Sequence, residues 1–448
     1  MLNRVISVDF GKRLGKIKPL HAINGGPHLG LEGLKSDFGA EFSEIGVPFV
    51  RTSGVGEYGN NQFVNIHCIF PDFNADENLE ESYNFLPTDE YLSSIRDTGA
   101  EIFFRLGESP EPYPKKLYTL PKVSPEKWAS VCEHIIMHYN EGWAGGFKMK
   151  IKYFEIWSGA DTALGFSGSA EDYYRLYRTA ALRLKERFPK IKIGAYGSLG
   201  FASLNRLDAT EEMREAVPFM QKFFSYVKSD SKEVPLDFFT WCCYTSNPDE
   251  LAMHIKYARS YLDLAGLKKT KSIVSEYNTS KKINIPPALR DDFPSELGAS
   301  LILAQKSPLD MMMYSTSEPW DFSNGLFSLV DFTSHRKYAG YNVLLAFGKL
   351  YKLGRAVETT GDYRKEVYAL ASAGNGEGAI LLVTRSYEGR VEIILKNSEY
   401  STATVVKTVP GGAHGEGTVY RAENVSLSGQ RLAVAVKPNE IYLVTLFN

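Results

Sequence analysis

The chain has 448 residues, of which 44% are hydrophobic, 13% aromatic and 23% charged, a composition typical of soluble globular proteins. Its 51 basic and 53 acidic residues leave a net charge of −2, which gives no electrostatic basis for nucleic acid or a membrane surface as the main partner. No apolar run approaches the roughly 20 residues that a bilayer-spanning helix needs. Asp9, Lys12 and Arg13 interrupt the apolar N-terminus early, so we expect no signal peptide and a cytoplasmic protein.

Short apolar runs alternate with longer amphipathic segments along most of the chain. The runs are apolar over nearly their whole length, as are strands of a parallel sheet that is buried on both faces. They cover 17–24, 49–53, 101–107, 153–159, 192–198, 237–244, 272–278 and 311–317. Helical periodicity marks the segments 124–139, 169–188, 249–267 and 293–305. Eight strand–helix units predict an α/β fold, the (β/α)8 TIM barrel.

Towards the C-terminus the pattern changes to short alternating strands separated by glycine turns, for example at 374–376 and 411–412. This pattern predicts an antiparallel β-sandwich. The N-terminal run RVISVDF also alternates and could join that sandwich. We therefore predict a barrel over residues 13–352 and a β-sandwich accessory domain over 353–448, with an N-terminal strand within 1–12.

Glu276 stands at the end of the seventh predicted strand, SIVSEYN. In a TIM barrel the active site lies at the C-terminal ends of the strands. Burying a carboxylate there costs several kcal/mol unless it is paired. A salt bridge to Arg51 or Arg105 is the structural alternative, but the position at a strand end favours a catalytic role.

Aromatic residues cluster at the same strand ends. Sugar rings present apolar C–H faces that stack on aromatic side chains, although large aromatics also close the core of a barrel. The cluster therefore favours a carbohydrate cleft. Its members are Trp157, Tyr196, Trp241, Tyr244, Tyr277, Tyr314 and Trp320.

The ordered set of these motifs resembles glycoside hydrolase family 39, whose members include β-xylosidases and α-L-iduronidases. The resemblance extends over nearly the whole chain, including the C-terminal sandwich. Its segments are PLHAINGGP (19–27), IHCIFPDFNAD (66–76), NFLPTDEYLSSI (84–95), EIFFRLGESPE (101–111), YFEIW (153–157), SEYN (275–278) and GLFSLVDFTSHRKYAGYNVLLAF (325–347).

The resemblance implies a retaining mechanism, in which two carboxylates lie about 5–5.5 Å apart. The family nucleophile belongs to a Glu-aromatic-Asn element that Glu276 and its successors match. The family acid/base belongs to a Trp-Asn-Glu-Pro element on the fourth strand. Here Trp157 is followed by Ser158 and Gly159, so glycine stands where the acid/base is expected, and serine replaces the asparagine that usually bonds the sugar 2-hydroxyl.

Two further strand ends depart from the family pattern. After the second strand, relatives commonly carry Arg-x-His-Asp, where this chain has Arg51-Thr52-Ser53-Gly54. On the sixth strand Cys242 replaces a histidine. The barrel mouth has therefore been rebuilt or relaxed around Glu276.

A hydrolase with this pattern needs another acid, a leaving group that requires none, or a different function. Asp161 is the first candidate for the acid/base and Glu57 the second, with Glu108, Glu111 and Glu155 as further alternatives. An acid set back by about 6.5–9.5 Å would instead invert the anomeric centre.

We predict a glycoside hydrolase that acts on an oligosaccharide or glycoside, with Glu276 as its nucleophile. The alternative is an inactive, carbohydrate-binding pseudo-glycosidase. No organic cofactor is implied. His134 and His138, four residues apart on a predicted outer helix, lack an evident third ligand, so no metal is expected. The sugar, its linkage and the oligomeric state stay open. The predicted substrate-binding residues are His21, Trp157, Ser158, Tyr196, Cys242, Tyr244, Asn278, Tyr314 and Trp320.

Overall fold

The computed structural model describes residues 3–29, 36–52, 64–110, 115, 117–229, 233–278, 290–315, 329–330, 334–363, 365–409, 418–421 and 425–448. Eight parallel strands close into a barrel, which confirms the predicted fold. Each strand overlaps one of the eight predicted runs. The strands are Ala22–Asn24, Phe49–Arg51, Glu101–Leu106, Tyr153–Ile156, Lys192–Ser198, Phe238–Tyr244, Lys271–Asn278 and Met311–Ser315.

Helices follow the barrel strands and surround them. Two of them begin at serine N-caps: Ser124 accepts a hydrogen bond from Lys127 N at 3.3 Å, and Ser169 forms a capping box with Asp172. The described helices are Gly39–Ile45, Ile66–Ile69, Leu86–Asp97, Pro125–Asn140, Ala170–Arg187, Glu211–Ser229, Pro248–Leu264, Phe293–Gln305 and Ala339–Leu353. Short 3₁₀ turns lie at Glu80–Ser82, Trp143–Gly145 and Ala202–Leu204. Among the described residues, no helix is both long and apolar enough to cross a membrane.

The C-terminal strands form one curled sheet that is mostly antiparallel and that encloses its own apolar core. The N-terminal strand Arg4–Lys16 lies inside this sheet. It pairs antiparallel with Arg355–Thr360 and parallel with Gly389–Lys396. The other members are Val367–Gly374, Glu377–Thr384, Thr402–Val409, Thr418–Arg421, Val425–Ser426, Arg431–Val436 and Ile441–Phe447.

The sheet packs against the last two helices of the barrel. Leu381 and Val383 belong to the same apolar core as the barrel helices, and Gly298 lies against Val383. A separate small sheet joins His28–Leu29 to Ser36–Asp37. The barrel and the accessory sheet are therefore joined by a continuous apolar contact.

An apolar layer fills the lower part of the barrel interior. Its members come from seven of the eight strands, and they pack side by side as in other TIM barrels. They are Ala22, Phe49, Phe103, Tyr153, Phe238, Ile273, Met311 and Met313. Because successive side chains on a strand point to opposite faces, residues two positions further along also point inward and form the next layer.

Candidate active site

The layer above the apolar one is polar. It occupies the C-terminal ends of the strands, where the site of a TIM barrel lies. Each member stands two positions beyond a residue of the apolar layer, and all are buried. They are Asn24, Arg51, Arg105, Glu155, Thr240 and Ser315. Thr240 was not among the predicted site residues, although the alternation would have identified it.

Arg51 holds this layer together. Its guanidinium is fully buried, and its Nε donates a hydrogen bond to Glu155 Oε2 at 2.8 Å. Nη1 donates to Asn24 Oδ1 at 2.9 Å and to Glu276 Oε1 at 3.2 Å, while Nη2 donates to Ser158 Oγ at 2.9 Å. One cation therefore links carboxylates on the fourth and seventh strands. The salt bridge considered as the structural alternative for Glu276 is present, and Glu276 also faces the mouth.

A β-bulge directs Glu276 into the barrel. Val274 pairs with Trp241, whereas Glu276, two residues later, pairs with Cys242, so Ser275 is an extra residue in the strand. Such an insertion changes which face the following side chains occupy. Tyr244 donates its hydroxyl hydrogen to Glu276 Oε2 at 2.7 Å. The side chain stays 19% exposed, so both carboxylate oxygens are held while the group remains accessible from the mouth.

Glu155 lies deeper in the layer. Its side chain is fully buried, with one oxygen bound by Arg51 and the other accepting a hydrogen bond from Thr240. Burial raises the pKa of Glu155, while the Arg51 cation opposes that effect. Because both of its oxygens are bound by protein groups, Glu155 supports Arg51 structurally.

Asp161 follows the fourth strand and is attached to the fifth. Its Oδ2 accepts hydrogen bonds from Ser198 Oγ at 2.6 Å and from Leu199 N at 3.1 Å. Burial raises the pKa of Asp161 to about 7. Cys242, on the sixth strand, lies close enough to both Glu276 and Asp161 that each carboxylate adds to the effect of burial in raising the thiol pKa. Glu276 and Asp161 thus both act electrostatically on Cys242.

Gly159 stands where the family resemblance places the acid/base. Its φ of +65° lies in the left-handed region that favours glycine. Its N–H donates to Tyr196 O at 2.6 Å, and a Cβ added there would come within 3.3 Å of Thr162 Oγ1. The backbone at this position is therefore shaped for glycine.

Trp157 does not line the cleft, contrary to the prediction. In a regular strand, alternation of side chains would point Trp157 into the barrel above Glu155. Its φ of +73° breaks this alternation. The indole is fully buried, donates to Gly165 O at 2.7 Å, and packs against Trp128 and Phe166. The side chain therefore belongs to the core and offers no face to a sugar.

Tyr196 and His21 are also buried away from the cleft. Tyr196 is fully buried, and its ring packs against Tyr173 and Phe239 on the outer side of the barrel wall. His21 precedes the first strand, at the opposite end of the barrel from the mouth. Its Nε2 lies 3.1 Å from Gly46 O, and burial lowers its pKa to about 3, so the ring is neutral at pH 7.

The remaining predicted residues divide between the mouth and the wall. Ser158, Cys242, Tyr244 and Asn278 lie at the mouth; Asn278 Nδ2 donates to the carbonyl oxygen of the eighth-strand Ser315 at 2.9 Å. Tyr314 is buried, and its neighbours along the strand, Met313 and Ser315, face the barrel interior. Its own ring therefore points outward and lies 6.4 Å from that of Phe293. Glu57, Glu111 and Trp320 lie outside the described residues.

Arg105 lies beside this network at the end of the third strand. Its Nη2 donates to Asn65 Oδ1 at 2.8 Å, whereas Nε and Nη1 have no hydrogen-bond partner among the described residues. Burial lowers the pKa of Arg105 to about 10. The outer-helix histidines make ordinary structural contacts: His134 Nδ1 lies 2.9 Å from Ser130 O, and His138 Nε2 lies 3.0 Å from Asp89 Oδ1.

Comparison with known proteins gives a partial match to a curated protein and full-length likenesses to solved structures. No family model matches the chain. A beta-xylosidase from Caldicellulosiruptor saccharolyticus is 25% identical over 202 residues, which is 42% of this chain and 39% of that protein. The aligned stretch thus spans about two fifths of the relative's length.

The solved structures that resemble this chain cover all or nearly all of it. A glucosidase from Croceicoccus marinus has a TM-score of 0.79 at 21% identity, with 100% of both chains covered. The GH39 enzyme from Xanthomonas axonopodis pv. citri has a TM-score of 0.71 at 13% identity, covering 100% of this chain and 98% of that one. A GH39 beta-xylosidase from Caulobacter crescentus has a TM-score of 0.69 at 13% identity, covering 99% and 100%. These likenesses establish the fold, a barrel with an accessory sheet.

Proposed function

We propose that this chain is a glycoside hydrolase in which Glu276 attacks the anomeric carbon of the sugar. The observation that carries the proposal is the setting of Glu276: an accessible carboxylate at the C-terminal end of a barrel strand, oriented by Arg51 and Tyr244. Arg51 and Tyr244 each donate to one of the two carboxylate oxygens, which fixes the orientation of the group. The similarity to a curated beta-xylosidase and to glucosidase and GH39 structures supports the same reaction class.

Asp161 is the proposed acid/base. A general acid works best when its pKa lies near the operating pH, and burial raises the pKa of Asp161 to about 7. Ser198 and Leu199 hold one of its oxygens in place. In the proposed first step, the Asp161 proton moves to the leaving oxygen, the glycosidic C–O bond breaks, and Glu276 bonds to the anomeric carbon. Water then displaces Glu276 while Asp161 takes up a proton.

The first experiment is a screen of aryl glycosides with good and poor leaving groups. Xylosides and glucosides are the first sugars to test, since the similar proteins carry those names. Glu276→Gln is expected to abolish turnover of every substrate. Full activity in that variant would remove Glu276 from the mechanism. The anomer released first, observed by proton NMR, distinguishes retention from inversion.

Asp161→Asn tests the acid separately. We expect a loss of about 10²–10⁴-fold with a poor leaving group, and a much smaller loss with a dinitrophenyl glycoside, which needs little protonation. Asp263→Asn is the matched control, because Asp263 is 48% exposed on an outer helix and pairs only with Arg259 among the contacts described. An equal loss for both leaving groups would contradict the assignment of Asp161.

A second candidate function, carbohydrate binding without hydrolysis, rests on Gly159. The usual acid/base position has no side chain and has a backbone conformation suited to glycine. This function predicts that sugars bind in calorimetry while no aryl glycoside turns over, and that Glu276→Gln leaves the affinity unchanged. Turnover that depends on Glu276 would exclude it.

A further inference from the structure

A cysteine, a histidine and a buried carboxylate form a chain of contacts beside the barrel mouth, apart from the proposed catalytic pair. Cys68 Sγ lies 3.4 Å from His67 Nε2. On the other side of the ring, His67 Nδ1 lies 2.5 Å from Glu108 Oε2. The His67 backbone N–H also donates to Glu108 Oε1 at 3.1 Å. A nucleophile, a base and a group that orients the base thus stand in sequence.

The imidazole is held in one orientation. Its ring stacks on Tyr118, with centroids 3.6 Å apart and planes within 4°. Glu108 is only 4% exposed, so water competes little for its charge, while His67 keeps 21% of its side chain exposed. Burial lowers the pKa of His67, but the bonds to Cys68 and Glu108 outweigh this effect and raise the pKa to about 10. A histidine held beside a cysteine sulfur and oriented by a carboxylate is the arrangement that activates cysteine nucleophiles.

We propose that Cys68 is a reactive thiolate, paired with His67, and a site of covalent modification by small soft electrophiles. Cys68 is partly exposed. A cavity of about 340 Å³ lies beside the cluster and is lined by Glu108 and Tyr118 together with Phe73 and Leu117. The cavity thus adjoins Glu108 and Tyr118, which both contact the His67 ring, and it has room for a small organic reagent. This inference does not depend on the glycosidase assignment.

The other three cysteines provide internal comparisons. Cys132 and Cys243 are buried, and burial raises the pKa of both thiols. Cys242 is partly exposed like Cys68, yet burial and the nearby Glu276 raise its pKa. Cys242 therefore tests whether exposure without an imidazolium partner is enough for reactivity.

Iodoacetamide is the probe. The Cys68 sulfur forms a bond to the methylene carbon as the carbon–iodine bond breaks, iodide leaves, and His67 retains its proton. An isolated thiol of pKa near 8.5 is only about 1% thiolate at pH 6.5. Full ionisation raises that fraction about 100-fold, while the lower basicity reduces the intrinsic nucleophilicity by about one order of magnitude. We therefore expect Cys68 to react about tenfold faster than an ordinary exposed thiol at pH 6.5.

The experiment measures alkylation of each cysteine in the folded full chain by mass spectrometry between pH 5 and 9. Cys68 should react first, and its rate should change little above pH 6.5. His67→Gln should lower its rate at pH 6.5 about tenfold and restore the pH dependence of a free thiol. His335→Gln, which changes a 43% exposed histidine elsewhere, is the matched control and should have no effect.

Two results would overturn the proposal. One is a wild-type rate at Cys68 that rises tenfold per pH unit up to about pH 8.5, as for an unpaired thiol. The other is a rate at Cys68 no higher than that at Cys242. Both measurements use the wild-type protein, so they decide the question even if the His67 variant folds poorly.

Discussion

Replacing Arg51 by methionine removes the cation on which the polar layer depends. Methionine retains an apolar stem but leaves Glu155, whose side chain is fully buried, without its opposite charge. Removing one partner of a buried ion pair typically destabilises a protein by about 3–5 kcal/mol. Glu276 is 19% exposed and can regain hydration, so most of the loss should come from Glu155. For a chain of 448 residues this corresponds to a melting temperature lower by about 3–5 °C.

Differential scanning calorimetry of three variants tests this reasoning. The double variant Arg51→Met with Glu155→Gln removes the orphaned charge and should recover more than half of the loss. The control Arg187→Met breaks an exposed pair with Glu141, for which we expect only about 0–1 kcal/mol. The reasoning is refuted if Arg51→Met changes stability no more than Arg187→Met, or if the double variant is as unstable as the single one.

Three further predictions concern the mouth. Tyr244→Phe removes the hydroxyl donor to Glu276. A hydrogen bond to a charged group contributes about 1.5–3 kcal/mol, so kcat should fall roughly 10–100-fold while the melting temperature stays the same. Unchanged steady-state kinetics would contradict this prediction. Gly159→Ala should cost about 1–2 kcal/mol in thermal unfolding, because φ is +65° there; an unaffected melting temperature would be the contrary result. Burial raises the pKa of Asp161 from 3.8 to about 7, so the folded state binds that proton more tightly than the unfolded state. The stability of the wild type relative to Asp161→Asn should therefore fall as pH rises from about 4 to about 7, and parallel urea-unfolding curves across that range would refute the shift.

The barrel could be predicted from sequence because parallel strands buried on both faces appear as continuous apolar runs. The same property hides which side chains point inward, since both faces are apolar. Tyr196 and Tyr314 were therefore assigned to the cleft although they pack on the outer face of the wall. Trp157 is predicted to line the cleft because it is an aromatic residue at a strand end. The positive φ that redirects its side chain has no signature in a single sequence.

The candidate site was predictable to the extent that it depends on strand ends. The place of Glu276 at a strand end followed from its motif, and the structure puts its carboxylate at the barrel mouth. Its role as nucleophile and the absence of an acid at Gly159 stay predictions. The bulge at Ser275, which sets the direction of Glu276, could not, because one extra residue leaves the apolar pattern intact. The contact between His67 and Glu108 joins residues 41 apart in sequence and depends on the closed barrel.

The position of the first strand limits how the gene for this protein can be divided between the barrel and the sheet. In topological terms the barrel is an insertion within the sheet unit, because the chain passes from the sheet strand Arg4–Lys16 into the barrel and then returns to the sheet. A gene fragment ending after the barrel would encode a 13-residue strand deprived of both neighbours, with two unpaired edges that invite aggregation. A fragment encoding only the C-terminal strands would lack the strand between Arg355–Thr360 and Gly389–Lys396. Recombination that exchanges one unit as a cassette is therefore disfavoured, and the two units should be gained or lost together.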